Sequence, residues 1–147
     1  MKKTIEEIIA SLQEKAKIDL AIDRSELATA SLRTPYIQGS WMNAFRQYKS
    51  VLRQKEYAYK KMYRDRWLYY SGKADAATYA NEPFDYKVLK GDLHIFLESD
   101  EKLQSARKSQ EDMRDIVKFV ESVIGELNRR SFHIKNAIDV IKWENGG

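Results

Sequence analysis

Leu103, Ala106, Gln110, Met113, Val117, Val120, Ile124 and Leu127 recur in alternating steps of three and four, and the register runs on through Ser131, Ile134, Ile138 and Ile141. Only a helix brings such positions to one side, because its turn of about 3.6 residues lies close to the mean step of about 3.5. A seam sustained from 103 to 141 outruns an ordinary globular helix and predicts a coiled-coil-like contact between copies of the chain. Gln110 and Ser131 interrupt the seam, and Gly125 and Arg129–Ser131 are places where it could kink or divide into two helices. The residues expected to carry self-association are Leu103, Met113, Val117, Val120, Ile124, Leu127, Ile134, Ile138 and Ile141.

The rest of the chain also reads as helix. The whole sequence holds two prolines and six glycines and is rich in Lys, Glu, Ala, Leu, Gln and Arg, which lose little side-chain entropy in a helix. Thr4 and Glu7 have the spacing of a capping box ahead of the stripe Ile5, Ile8, Ile9 and Leu12. Asp19 to Ser25 is a break, Asp23 with Glu26 is a second possible box, and a short helix to about Arg33 follows. Thr34-Pro35 then reads as N-cap and first helical residue of a long helix reaching Tyr70, which Ser71-Gly72 closes as a glycine C-cap. Residues 74–98 form an irregular connector with turn signals at Asn81-Glu82-Pro83 and Lys90-Gly91-Asp92. Its apolar residues suit either short extended segments or a docked loop. Ser99, with Lys102, is the expected N-cap of the C-terminal helix. The fold class expected is all-α: one domain over 1–147, with N-terminal and basic helices in 4–73, the connector, and oligomerisation helices in 99–145.

Several function classes find no support. There is no cysteine, hence no disulfide framework and no thiolate metal site. The N-terminus turns from basic to acidic without the apolar core of a signal peptide. No apolar run approaches the ~20 residues of a membrane span. The expectation is a soluble protein of the cytoplasm with no membrane partner. A phosphate-binding Gly-x-x-x-x-Gly-Lys-Ser/Thr loop is missing, His94 and His133 have no nearby ligand partners, and Glu6/Glu7 and Asp100/Glu101 sit at helix starts, where the macrodipole favours them. No enzyme activity, cofactor or metal is expected.

Charge is distributed unevenly. Residues 33–73 carry ten Lys and Arg against Glu56 and Asp65, so that a total of +4 conceals a segment of +8 beside a remainder of −4. On a helix of ~100° per residue, Arg46, Lys49, Arg53, Lys60 and Arg64 fall within about 60°, with Tyr57 and Trp67 on or beside the stripe and Lys61 nearby. Trp41, Phe45, Tyr48, Leu52, Tyr59, Met62, Tyr63 and Tyr70 fall opposite, as a core face, and projection places Arg66 on that apolar side. Cations neutralise phosphates and release counterions, and exposed rings stack on unpaired bases without reading sequence. The pattern therefore predicts a single-stranded nucleic-acid site. The competing reading is a structural coiled-coil adaptor whose basic helix meets an acidic protein or an anionic surface.

The segment Arg64-Asp65-Arg66-Trp67-Leu68-Tyr69-Tyr70-Ser71-Gly72 resembles the central motif of the UvsY family, the recombination mediators of T-even-type phages: two basic residues one apart, an apolar position, then Tyr-Tyr-Ser-Gly. Ser40-Trp41-Met42-Asn43 is similar to the family's Trp-containing start of this helix, and Arg130-Ser131-Phe132-His133-Ile134-Lys135 to its C-terminal segment; the resemblance spans roughly 15–145. Asp65 between the arginines, Leu68 at a polar position and a longer stretch after Gly72 depart from the pattern. The resemblance implies binding of single-stranded DNA and assembly into a hexameric or heptameric ring through the C-terminal region. It also implies displacement of a phage single-strand-binding protein and loading of a RecA-like recombinase in the host cell cytoplasm. Arg64 and Arg66 match the family's DNA-binding pair. With Arg46, Lys49, Arg53, Tyr57, Lys60, Lys61 and Trp67 they make up the expected DNA site.

Overall fold

Five α-helices account for most of the chain in the computed structural model, which describes residues 2–146 and contains no strand among them. They are α1 (Ile5–Leu20), α2 (Leu27–Tyr70), α3 (Ala76–Asn81), α4 (Leu93–Glu98) and α5 (Glu101–Glu144), with 3-10 turns at Arg24–Glu26 and Lys90–Asp92. The expected all-α class, with a long basic helix and a long C-terminal helix, holds. No helix among the described residues is long and apolar enough to cross a membrane. The chain groups into two units, Met1–Lys49 with Asp115–Gly147, and Ser50–Arg114.

Local chemistry explains most helix ends. Thr4 Oγ1 accepts from the Glu7 N–H while Glu7 Oε2 accepts from the Thr4 N–H, both at 3.1 Å, completing the box. At the end of α2, Gly72 adopts φ +75°. Lys73 N–H donates to the Leu68 carbonyl at 2.9 Å and Gly72 N–H to the Tyr69 carbonyl at 3.2 Å, the paired bonds of a Schellman motif.

Five expectations are corrected. Asp23 caps only a 3-10 turn, its carboxylate accepting from the Ser25 N–H, and Glu26 does not complete a box. Thr34-Pro35 does not start a helix, since α2 already runs from Leu27 and Pro35 lies within it. An interior proline costs about 3 kcal/mol, but Ala30 and Ile37 are buried on either side of it. Thr34 Oγ1, instead of capping, donates to the Ala30 carbonyl at 2.9 Å and accepts from Arg130 Nε at 3.0 Å. The connector forms α3 and α4, so that Leu93–Glu98 is helix rather than an extended segment or a loop, while residues 83–89 between them stay irregular. Asp100, not Ser99, caps α5: its Oδ1 accepts from the Leu103 N–H at 2.8 Å, while Ser99 Oγ donates back to the Ile95 carbonyl. Nor does α5 divide at Gly125 or Arg129–Ser131.

In the first unit Trp41 is fully buried. Its indole N–H donates to Asp19 at 2.8 Å and Lys15 lies over its ring at 4.7 Å, which docks α1 on α2. Along α5, Met113, Val120, Leu127 and Ile134 form one buried column at seven-residue spacing, and Ile116, Val123 and Arg130 a second. The third column, Val117, Ile124, Ser131 and Ile138, is buried at Val117, half-buried at Ile124 and exposed beyond it. The buried face is thus the wide stripe of a globular helix rather than a narrow a/d seam.

Candidate nucleic-acid interface

The basic face of α2 takes shape because its opposite face is apolar enough to be buried. Trp41, Leu52 and Tyr69 are in the interior, and Phe45, Tyr48, Tyr59 and Met62 are half-buried. Arg46 and Lys49, in the first unit, and Arg53, Lys60, Lys61 and Arg64, in the second, are all exposed. Among the described residues no carboxylate pairs with Arg46, Lys49, Arg53, Lys60 or Lys61. Arg64 contacts Asp65 at 3.1 Å, but both side chains are well exposed, and such a pair contributes little against water. Tyr57 is 66% exposed. Trp67 is half-buried, with the Lys73 ammonium 5.1 Å from its ring centre.

Arg66 is placed differently. It is 5% exposed. Its Nε donates to Asp100 Oδ2 at 2.7 Å, Nη1 and Nη2 donate to the two Glu82 oxygens at 2.9 and 3.1 Å, and its guanidinium carbon lies 4.2 Å from the Tyr69 ring centre. Tyr70 donates to the same Asp100 oxygen at 2.6 Å. Burial alone would lower the Arg66 pKa, yet the bonds to Glu82, Tyr70 and Asp100 raise it. For Asp100, burial pushes the pKa up, and the Tyr70 hydroxyl, the Leu103 amide and Arg66 together outweigh it and hold the carboxyl below its ordinary value. The bonds from Arg66 hold Glu82 down as well, against burial. Helical projection had placed Arg66 on the apolar side of α2, but nothing in the local sequence identified Glu82 and Asp100 as its partners.

Around this group, Tyr69 stacks on Tyr79 with ring centres 5.4 Å apart, and Tyr69 and Tyr70 both pack on Phe84. The connector is therefore fastened to the end of α2 by charge and by rings. Tyr63, expected in the core, is 44% exposed. Of the residues expected to carry self-association, Leu103, Met113, Val117, Val120, Leu127 and Ile134 are buried within the single chain. Ile124 and Ile141 are half-buried and Ile138 is exposed.

The family described as "Recombination, repair and ssDNA binding protein UvsY" matches residues 15–147. The recombination protein uvsY of Enterobacteria phage T4 is 22% identical over 138 residues, covering 94% of this chain and 98% of that protein. Two crystal lattices of the bacteriophage T4 recombination mediator protein UvsY share the fold. One aligns with a TM-score of 0.81 at 23% identity over 92% of this chain and 96% of that one; the other aligns with a TM-score of 0.80 at 23% identity over 91% and 98%.

Proposed function

The chain belongs to the UvsY family of phage recombination mediators, and from that premise we propose that it binds single-stranded DNA along the exposed basic face of α2. The observation that carries this reading is that Arg46, Lys49, Arg53, Lys60 and Lys61 are exposed on that helix and, among the described residues, have no carboxylate partner, beside Arg64, Tyr57 and Trp67. Arg46, Lys49, Arg53, Lys60, Lys61 and Arg64 contact phosphates, and the rings stack on bases. Arg66 supports the site from beneath and does not touch DNA. Copies assemble through the surface that α5 leaves uncovered, including Ile124, Ile138 and Ile141. An assembly that presents many such helices to one strand turns later contacts into intramolecular ones and gains avidity. Held this way, the strand is loosened from a single-strand-binding protein and offered to a RecA-like recombinase.

Binding to labelled oligo-dT across a salt series tests the reading. The wild type should bind with a steep salt dependence. Replacing Arg53, Lys60 and Arg64 together by alanine should reduce the slope of log affinity against log salt by about 2, at ~0.7 per phosphate contact on a single strand. An unchanged slope would remove these residues from the site. No binding at low salt would favour the adaptor reading.

A further inference from the structure

We infer that Tyr63 and Arg107 extend the single-strand surface from α2 onto α5, Tyr63 as a base-stacking ring and Arg107 as a phosphate contact. The inference rests on the DNA-binding reading above. Tyr63 lies next to the basic face: by helical projection, Trp67 is about 40° and Lys60 about 60° to one side of it. On its other side stands Tyr59, with ring centres 6.4 Å apart and planes tilted by 48°. Tyr59 is half-buried and anchors Arg107, whose Nη2 donates to the Tyr59 hydroxyl at 3.0 Å and whose guanidinium carbon lies 5.8 Å from the ring centre. Tyr59, Tyr63 and Arg107 all belong to the second unit.

The arrangement suits a polyanion with unpaired bases. Arg107 is exposed, and among the described residues no carboxylate forms a salt bridge with it. The Tyr59 bond uses one of its five N–H donors and leaves a forked cation already oriented, so less side-chain freedom is lost when it meets a phosphate. Glu98 and Glu111 lie near enough to favour its charge, after the larger effect of Tyr59, without occupying its donors. Glu56, an acid on the same edge of α2, is itself faced by Arg114 of α5 at 3.9 Å. On the α5 side, among the described residues, Arg107 thus has no carboxylate salt bridge, and Arg114 faces the neighbouring acid.

The test uses the full chain and labelled oligo-dT over a salt series. Arg107→Ala should weaken binding and reduce the salt slope by about 0.7. Tyr63→Ala should weaken binding about tenfold with the slope unchanged, and Tyr63→Phe should bind like the wild type, because stacking needs the ring and not the hydroxyl. Far-UV circular dichroism checks that each variant keeps its helices. In the wild type, photocrosslinking to an oligonucleotide carrying 5-iodouracil should give an adduct at Tyr63, a result independent of any variant. An unchanged slope for Arg107→Ala, or no Tyr63 adduct, overturns the inference. If the wild type binds and Arg64→Ala weakens it while Arg107→Ala and Tyr63→Ala bind normally, only this extension fails. If the wild type does not bind oligo-dT, both readings fail.

Discussion

Among the described residues each unit buries one arginine, and the two are held in opposite ways. Arg66, in the second unit, is met by the carboxylates of Asp100 and Glu82. Arg130, in the first, is 4% exposed and among the described residues bonds neutral oxygens: the Asp19 carbonyl at 2.7 Å, the Ala21 carbonyl at 3.3 Å and Thr34 Oγ1 at 3.0 Å. It closes the C-terminus of α1, where unsatisfied carbonyls and the negative end of the macrodipole favour a cation. Their pKa values diverge accordingly. Burial, with Arg33 nearby, lowers that of Arg130, whereas carboxylate bonding raises that of Arg66. A buried cation can thus serve as a helix cap or as the hub of an ion-paired cluster, and the two uses should fail differently.

The largest effect is expected at the hub. Arg66→Ala leaves Asp100, with a side chain 2% exposed, charged and without the cation it is paired with, and should destabilise the chain by about 3–5 kcal/mol in urea unfolding. Arg66→Lys should rescue little, since an ammonium cannot reproduce the forked bonds to two carboxylates. A small loss would mean that the carboxylates relax into water. Arg130→Ala strands carbonyls but no charge, so a loss of about 2 kcal/mol is expected. A loss as large as that of Arg66→Ala would erase the distinction between the two arginines.

Acid is the mildest perturbation, and it should act mainly on the second unit, since in the first the exposed Asp23, held below its ordinary value by its bonds to Ser25, caps a single 3-10 turn. Asp100 and Glu82 have folded pKa values below their ordinary values of 3.8 and 4.5. Their contribution is therefore complete above about pH 5 and is lost as the pH falls through the depressed folded values. Hydrogen exchange at pH 5 and pH 3 should show protection falling around α3, α4 and the start of α5, while the contacts of Arg130 with neutral groups hold. Equal loss in both units would refute the assignment.

Local chemistry was legible in the sequence. The Thr4–Glu7 box and the Gly72 terminus depend on residues within five positions of one another, and both appear where spacing placed them. The basic face of α2 was legible too, because a helix converts spacing directly into direction. The heptad run on α5 correctly marked a long helix, but periodicity names a buried face without naming what covers it, and here much of the cover comes from the chain itself. Tertiary structure alone decided the contacts that join distant residues. Arg130 reaches back to Asp19 and Thr34. Arg107 crosses to Tyr59 and leaves Tyr63 at the surface. Arg66, one residue beyond Asp65 in the basic motif, turns inward because Glu82 and Asp100, 16 and 34 positions away, supply the countercharge that makes burying a guanidinium tolerable.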